Sequence, residues 1–119
     1  MLLFSMADGY TAARNLLNRC PDLTAIFAFS DVMAIGVMRA IQDLGKRVPE
    51  DISVVGYDGI SVANYCIPRL TTIRQDTQEL AKQGVDVLLR AIEHKQDGSV
   101  HGVVPFQMVI GESVARREL

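Results

Sequence analysis

Cysteine, histidine and surplus positive charge are all scarce in this chain, and each scarcity removes a class of function. Two cysteines, Cys20 and Cys66, among 119 residues are too few for a disulfide scaffold and suit a reducing compartment. With no histidine near either in sequence, a packed thiol rather than a nucleophile is expected of both. The two histidines, His94 and His101, flank an expected turn without a cysteine nearby. That spacing matches no metal site, so surface histidines are expected and no metal or cofactor. Twelve Lys and Arg against fourteen Asp and Glu leave a net charge of −2, whereas a free-standing nucleic-acid binder carries a basic excess. Apolar runs are only a few residues long, so nothing spans a membrane. Residues 1–6 show no basic n-region, so no export signal is expected and a cytoplasmic setting is. There is no repeat, low-complexity tract or charged linker. What remains, 49% apolar and 22% charged residues, is the composition of an ordinary globular chain of one-domain length.

The periodicities alternate between helix and strand. Ala12, Ala13, Leu16 and Leu17 lie on one face of a helix expected from about Gly9 to Arg19, with Asp8 as N-cap and Pro21 as its stop. Leu23 to Phe29 reads as a buried strand. Ser30 supplies an N-cap and Asp31 a first-turn carboxylate for a helix carrying Met33, Ile35, Val37, Met38, Ile41 and Leu44, which Gly45 ends. Ile52 to Tyr57 reads as a second buried strand, followed by Asp58-Gly59. One or two helical turns are expected between Ser61 and Pro68, and a short strand from Leu70 to Ile73. Asp76 with Glu79 opens a helix to about Lys95. Gln96-Asp97-Gly98-Ser99 is an expected turn, and Val103 to Ile110 a last strand. This order implies an α/β layer structure with a parallel sheet, helices on both faces, and open sheet edges that need cover.

Both clear strands end at polar groups. Ligands of open parallel sheets sit beyond the carboxyl ends of the strands, so Ser30, Asp31 and Asp58 converge on one crevice if the two strands are neighbours. A hydroxyl and carboxylates beside helix N–H groups suit a ligand with several hydroxyls, such as a sugar or nucleoside. The same residues also fit plainer roles: Ser30 as a cap, Asp31 as partner of the helix dipole, Asp58 as a turn residue. Gly56 and Gly59 form neither a dinucleotide fingerprint nor a P-loop. A small α/β enzyme with Asp58 as base lacks a nucleophile, a metal set or a second matched acid, so no catalytic residue is assigned.

Three ordered segments carry a family resemblance: Ser30-Asp-Val-Met-Ala-Ile-Gly-Val-Met-Arg-Ala-Ile41, Arg47-Val-Pro-Glu-Asp-Ile-Ser-Val-Val-Gly-Tyr-Asp58 and Pro68-Arg-Leu-Thr-Thr-Ile-Arg-Gln75. Together they closely resemble the C-terminal part of the effector-binding domain of bacterial transcription regulators of the lactose repressor and galactose repressor family. The resemblance runs from Asp8 to about Glu112. It implies part of a periplasmic-binding-protein-like fold, two lobes of parallel sheet flanked by helices with a small-molecule effector between them. On that template residues 1–75 and 103–112 belong to the C-terminal lobe. Residues 76–95 form a helix expected to pack on an N-terminal lobe absent from this sequence. Ser30, where the family often has Asn, Asp31, Asp58 and Gln75 would face the effector. Ile35, Met38, Arg39, Tyr65 and Cys66 would lie at a homodimer interface. The resemblance thus implies the effector-sensing and dimerisation portion of a sugar- or nucleoside-responsive repressor, with operator DNA reached only through a helix-turn-helix headpiece that these residues do not contain. The alternative of a different class is a solute-binding protein of a sugar transport system with the same fold.

Overall fold

The computed structural model describes residues 4–94 and 101–118; the turn expected at Gln96-Asp97-Gly98-Ser99 lies outside them. In chain order the elements are α1 (Met6–Arg19), β1 (Ala25–Phe27), α2 (Asp31–Asp43), β2 (Ser53–Asp58), a short 3-10 helix (Ser61–Tyr65), β3 (Thr71–Gln75), α3 (Thr77–His94) and β4 (Phe106–Val109). Two compact units result, residues 1–74 with 108–119, and residues 75–107.

Helix α1 begins three residues earlier than its apolar periodicity implies. Its cap is Ser5, whose hydroxyl accepts the Asp8 N–H at 3.1 Å while the Asp8 carboxylate accepts the Ser5 N–H at 2.9 Å. Asp8 is therefore the third residue of a reciprocal capping box and not the N-cap. Helix α2 ends as its sequence implies. Gly45 takes φ +74, and the Gly45 and Lys46 amides return to the Gln42 and Ile41 carbonyls at 2.9 and 3.1 Å, a Schellman closure that a Cβ would oppose. The two helices cross in close contact because glycines meet there. A Cβ on Gly36 would strike the Met6 carbonyl, and one on Gly9 the Met33 carbonyl.

The sheet has the order β1-β2-β3-β4. Strand β1 pairs in parallel with β2, Ala25 opposite Ser53, and β2 in parallel with β3, Gly56 opposite Thr72 and Asp58 opposite Arg74. Ala34, Val37, Met38, Ala40 and Ile41 of α2 join Val54, Ile52 and Leu70 in the core. Only one face of the first unit is so covered. Phe27 and Phe29 stand 55% and 74% exposed, their rings edge to face with centroids 6.4 Å apart. Along β1 the face that carries Phe27 and Phe29 is therefore open to solvent, and burial alternates there.

Residues 111–113 cross the start of β2 and β3 and tie them together. The buried Ser113 hydroxyl accepts the Thr71 N–H at 2.8 Å and donates to the Val54 carbonyl at 2.6 Å, while the Val54 N–H bonds the Ser113 carbonyl at 2.8 Å. At the surface Arg69 pairs with Glu112 at 2.9 Å, and that hydrogen bond holds the Glu112 carboxyl below its ordinary value. The second unit holds α3, capped by Asp76 Oδ1 accepting the Glu79 N–H at 3.0 Å, and residues up to 107. Leu80, Val85, Leu88, Leu89 and Ile92 of α3 are exposed.

Ser113→Ala removes both side-chain bonds and leaves a buried amide and carbonyl unpaired. Each such group costs about 1–3 kcal/mol. Urea unfolding should show a clear loss of stability with an unchanged m-value; a midpoint within error of the parent's would show that the crossing segment is held by its main chain alone.

Candidate functional site

Parallel pairing delivers the ends of neighbouring strands to one edge of the sheet, and the polar groups singled out above lie there. The Ala28 N–H bonds the Val55 carbonyl at 2.9 Å, which carries β1's path to Ser30 alongside β2's path to Asp58. Ser30 is the N-cap of α2, its hydroxyl accepting the Met33 N–H at 3.2 Å. It is only half-buried, so the cap does not close it off. Asp58 ends β2 in an unusual backbone state. Its φ is +117, followed by Gly59 at +74. A non-glycine residue there is strained by about 1–3 kcal/mol, and such residues gather at ligand sites. Gly59 is required sterically as well, because a Cβ would collide with Arg74 on the neighbouring strand. Gln75 ends β3 one residue beyond Arg74, where the second unit begins.

Asp31 departs from expectation. It is 0% exposed, its Oδ2 accepts the Ile60 N–H at 2.8 Å, and its Oδ1 accepts the Thr72 hydroxyl. A fully buried carboxylate whose two oxygens both accept from protein donors does not face an effector, and the expectation is corrected on that ground. The partners that explain it, Thr72 and Ile60, gave no signal in the sequence. Thr72 read as one residue of a short strand, and only the register beside Gly56 shows its hydroxyl to be inward.

The residues expected at a dimer interface divide. Met38 is 4% exposed and belongs to the core, which corrects its assignment: α2 is buried on more than one side, and Met38 lies on the inner one. Ile35 is half-buried against the same core. Arg39 is exposed and pairs with Asp43 at 2.9 Å. Tyr65 is 83% exposed, with Ile67 beside it at 89%. Cys66 is half-buried, its thiol donating to the Val62 carbonyl at 3.3 Å; burial, with the Asp31 charge adding, pushes that thiol up. Cys20 is exposed rather than packed. His101 is exposed. Among the described residues no group of His, Cys, Asp or Glu is arranged to hold a metal, and no helix is long and apolar enough to cross a membrane.

An open sheet with parallel β1, β2 and β3, and with polar side chains and a strained turn near the strand ends, defines a class: α/β domains built on an open parallel sheet. Comparison with known proteins narrows it. The family model for a periplasmic binding protein-like domain matches residues 3–114. The HTH-type transcriptional repressor PurR of Haemophilus influenzae (strain PittEE) is 43% identical over 95 residues, 80% of this chain and 28% of that protein. The transcriptional regulator CelR in its cellobiose complex superposes with a TM-score of 0.84 at 35% identity, over 92% of this chain and 34% of the other. The lac repressor dimer bound to operator and the anti-inducer ONPF gives 0.81 at 37% identity, over 92% and 38%. The chain belongs to the periplasmic binding protein-like domain family and covers part of the effector-binding domain of lactose repressor-type regulators. It spans about a third of the length of these relatives.

The cap that Ser30 provides can be tested by substitution. Ser30→Ala should cost about 1 kcal/mol of stability through the lost cap, whereas Ser30→Asn, an equally good cap, should cost almost nothing. Thermal unfolding of the two variants decides it; equal losses would mean that the hydroxyl serves packing and not the α2 amide.

Proposed function

We propose that this chain is the effector-sensing and dimerisation segment of a cytoplasmic, non-enzymatic transcription repressor that responds to a sugar or nucleoside-like molecule. The observation that carries the reading is the strained Asp58–Gly59 turn at the carboxyl end of β2, one strand from Ser30. A carboxylate held there can accept two ligand hydroxyls, and a ligand lacking them leaves the charge unpaired. The relatives are repressors and regulators, one of them in complex with cellobiose, which supports a polyhydroxylated effector. Gln75 is assigned to the same ligand. The exposed Tyr65 and Ile67, with Arg39 and the edge of Ile35, fit a face that meets a second copy, since solvent-facing aromatics of this size mark interaction surfaces. The apolar side of α3 fits the lobe that these residues do not supply. In the whole regulator, effector binding would favour one arrangement of the lobes and so change how the DNA-reading heads are held, a linkage that works in both directions.

The ligand is tested by chemical-shift titration of the 119-residue chain with cellobiose, ribose and adenosine, which registers binding as weak as about 1 mM. One of the three should shift the Ser30 and Asp58 amides saturably. Asp58→Asn keeps size but replaces an acceptor by a donor, and should weaken binding by about 30-fold or more, beyond detection. No saturable shift with any of them, or equal binding by the variant, would sink the reading.

DNA contact is expected to be absent from this segment. Its net charge is −2, and its basic pairs Lys46-Arg47 and Arg116-Arg117 are too few to track a phosphate backbone. A gel shift at moderate salt with an operator should show no retention; submicromolar, sequence-dependent retention would contradict this.

A further inference from the structure

The buried carboxylate of Asp31 bonds Thr72 beside, and Ile60 just after, the strained Asp58–Gly59 turn. Gly56 stands two residues before Asp58 on β2, and a Cβ there would collide with Asp31 Oδ1, so this glycine makes the room for the carboxylate. Thr72, the register partner of Gly56 on β3, donates its hydroxyl to the same oxygen. Ile60, the first residue after Asp58-Gly59, donates its amide to Oδ2 at 2.8 Å. The exit of the turn and the strand beside it are therefore both bonded to one side chain, for which Gly56 at the entry leaves room; that side chain sits in the first turn of α2, where the helix dipole favours a negative charge. A residue at φ +117 keeps that conformation only where its surroundings over-determine it.

We infer that Asp31 is a positioning residue: it holds the Asp58–Gly59–Ile60 turn in its left-handed course from beneath, so that Asp58 meets the ligand in one preset orientation. The role of Asp58 in this inference rests on the proposed ligand reading; the hold on the turn does not. A carboxylate suits the task because it accepts from two donors at once, at charge-assisted strength. An amide offers one acceptor and turns a donor toward the other partner. Orientation set in advance lowers the ordering cost of binding, so the side chain acts on affinity without touching the ligand.

The test reads the turn directly, in the 119-residue chain without ligand. Asp31→Asn keeps the shape and removes the charge, Asp31→Ala removes both acceptors, and Thr72→Val removes the hydroxyl donor with little change of volume. The Asp58 backbone coupling reports its positive φ, and hydrogen exchange with the chemical shift of the Ile60 amide reports the bond to Asp31. The expected result is an Ile60 amide that moves upfield and exchanges faster, with an Asp58 coupling that averages toward extended values. The effect should be graded from Asn to Ala, while the Ile41 and Val54 amides keep their protection. If Asp31→Ala does not fold, Asp31→Asn and Thr72→Val carry the test. Wild-type coupling and Ile60 shift in the variants that fold, with only the unfolding midpoint lowered, would overturn the inference and leave Asp31 a purely structural acid. A parallel titration with cellobiose, ribose and adenosine separates the two readings. Binding by the parent with a loss of about tenfold or more in Asp31→Asn supports positioning; equal binding by both refutes it. A parent that binds none of the three refutes the ligand reading and the use assigned to Asp31, whatever the couplings show.

Discussion

Parallel pairing of β1, β2 and β3 is the constraint from which the rest of the first unit follows. Strands that run the same way leave the sheet at the same edge, so the residues after each are gathered on one rim however far apart they stand in the chain. Helix α2 starts at that rim, because Ser30 caps it immediately beyond β1, and it returns over β2. Its first turn therefore lies above Gly56, the only strand residue there without a side chain to obstruct it. The small residues Ala34 and Ala40 let α2 sit close to the sheet, and the paired glycines of the α1–α2 crossing let α1 sit close to α2. Close packing of this kind leaves little freedom for the rim to shift.

The local chemistry of caps and turns was largely legible. Gly45 after an apolar stripe, Ser30 before one, and Asp76 three residues before Glu79 each act within a single turn, and each does in the fold what the pattern implies. The start of α1 departs from the pattern for an equally local reason. Ser5 and Asp8 form a reciprocal box in which the acid is the third helical residue, and reading the acid as the cap displaces the helix start. Bonds that span many residues left no trace of this kind. Ser113 looks like an ordinary residue of a polar tail, yet its hydroxyl joins Thr71 and Val54 across more than forty positions. No spacing rule reaches that far.

The family template, and not the periodicity, implies a partner-facing Met38 on α2. Met33, Val37, Met38 and Ile41 occupy more of the circumference than one buried face requires, and that excess alone names no partner surface. In the fold α1 covers one side and the sheet another, so Met38 is consumed by the core. Apolar surface left over lies elsewhere, including Tyr65 and Ile67 at the end of the 3-10 helix, the Phe27–Phe29 pair, the stripe of α3, and Phe106, Met108 and Ile110. Scattered exposed apolar residues need no explanation, but contiguous groups of large ones in so short a chain favour contacts with further polypeptide.

The polar residues of the rim divide by how many of their hydrogen-bonding positions the protein already uses. Asp31 gives both oxygens to Thr72 and Ile60 and is sealed from solvent, so its charge shapes the backbone and does not meet a ligand. Ser30 is different. A hydroxyl has one proton and two lone pairs, and the cap to Met33 uses a single lone pair. The proton remains able to donate to a ligand oxygen while the helix stays capped, so capping and recognition do not compete for the same atom. An amide at that position would cap through its oxygen and present two N–H donors instead, which changes the number and direction of bonds on offer without changing the helix. Under the proposed reading, Asp58 then sets how strongly a polyhydroxylated molecule is held, and position 30 sets which arrangement of its oxygens is accepted.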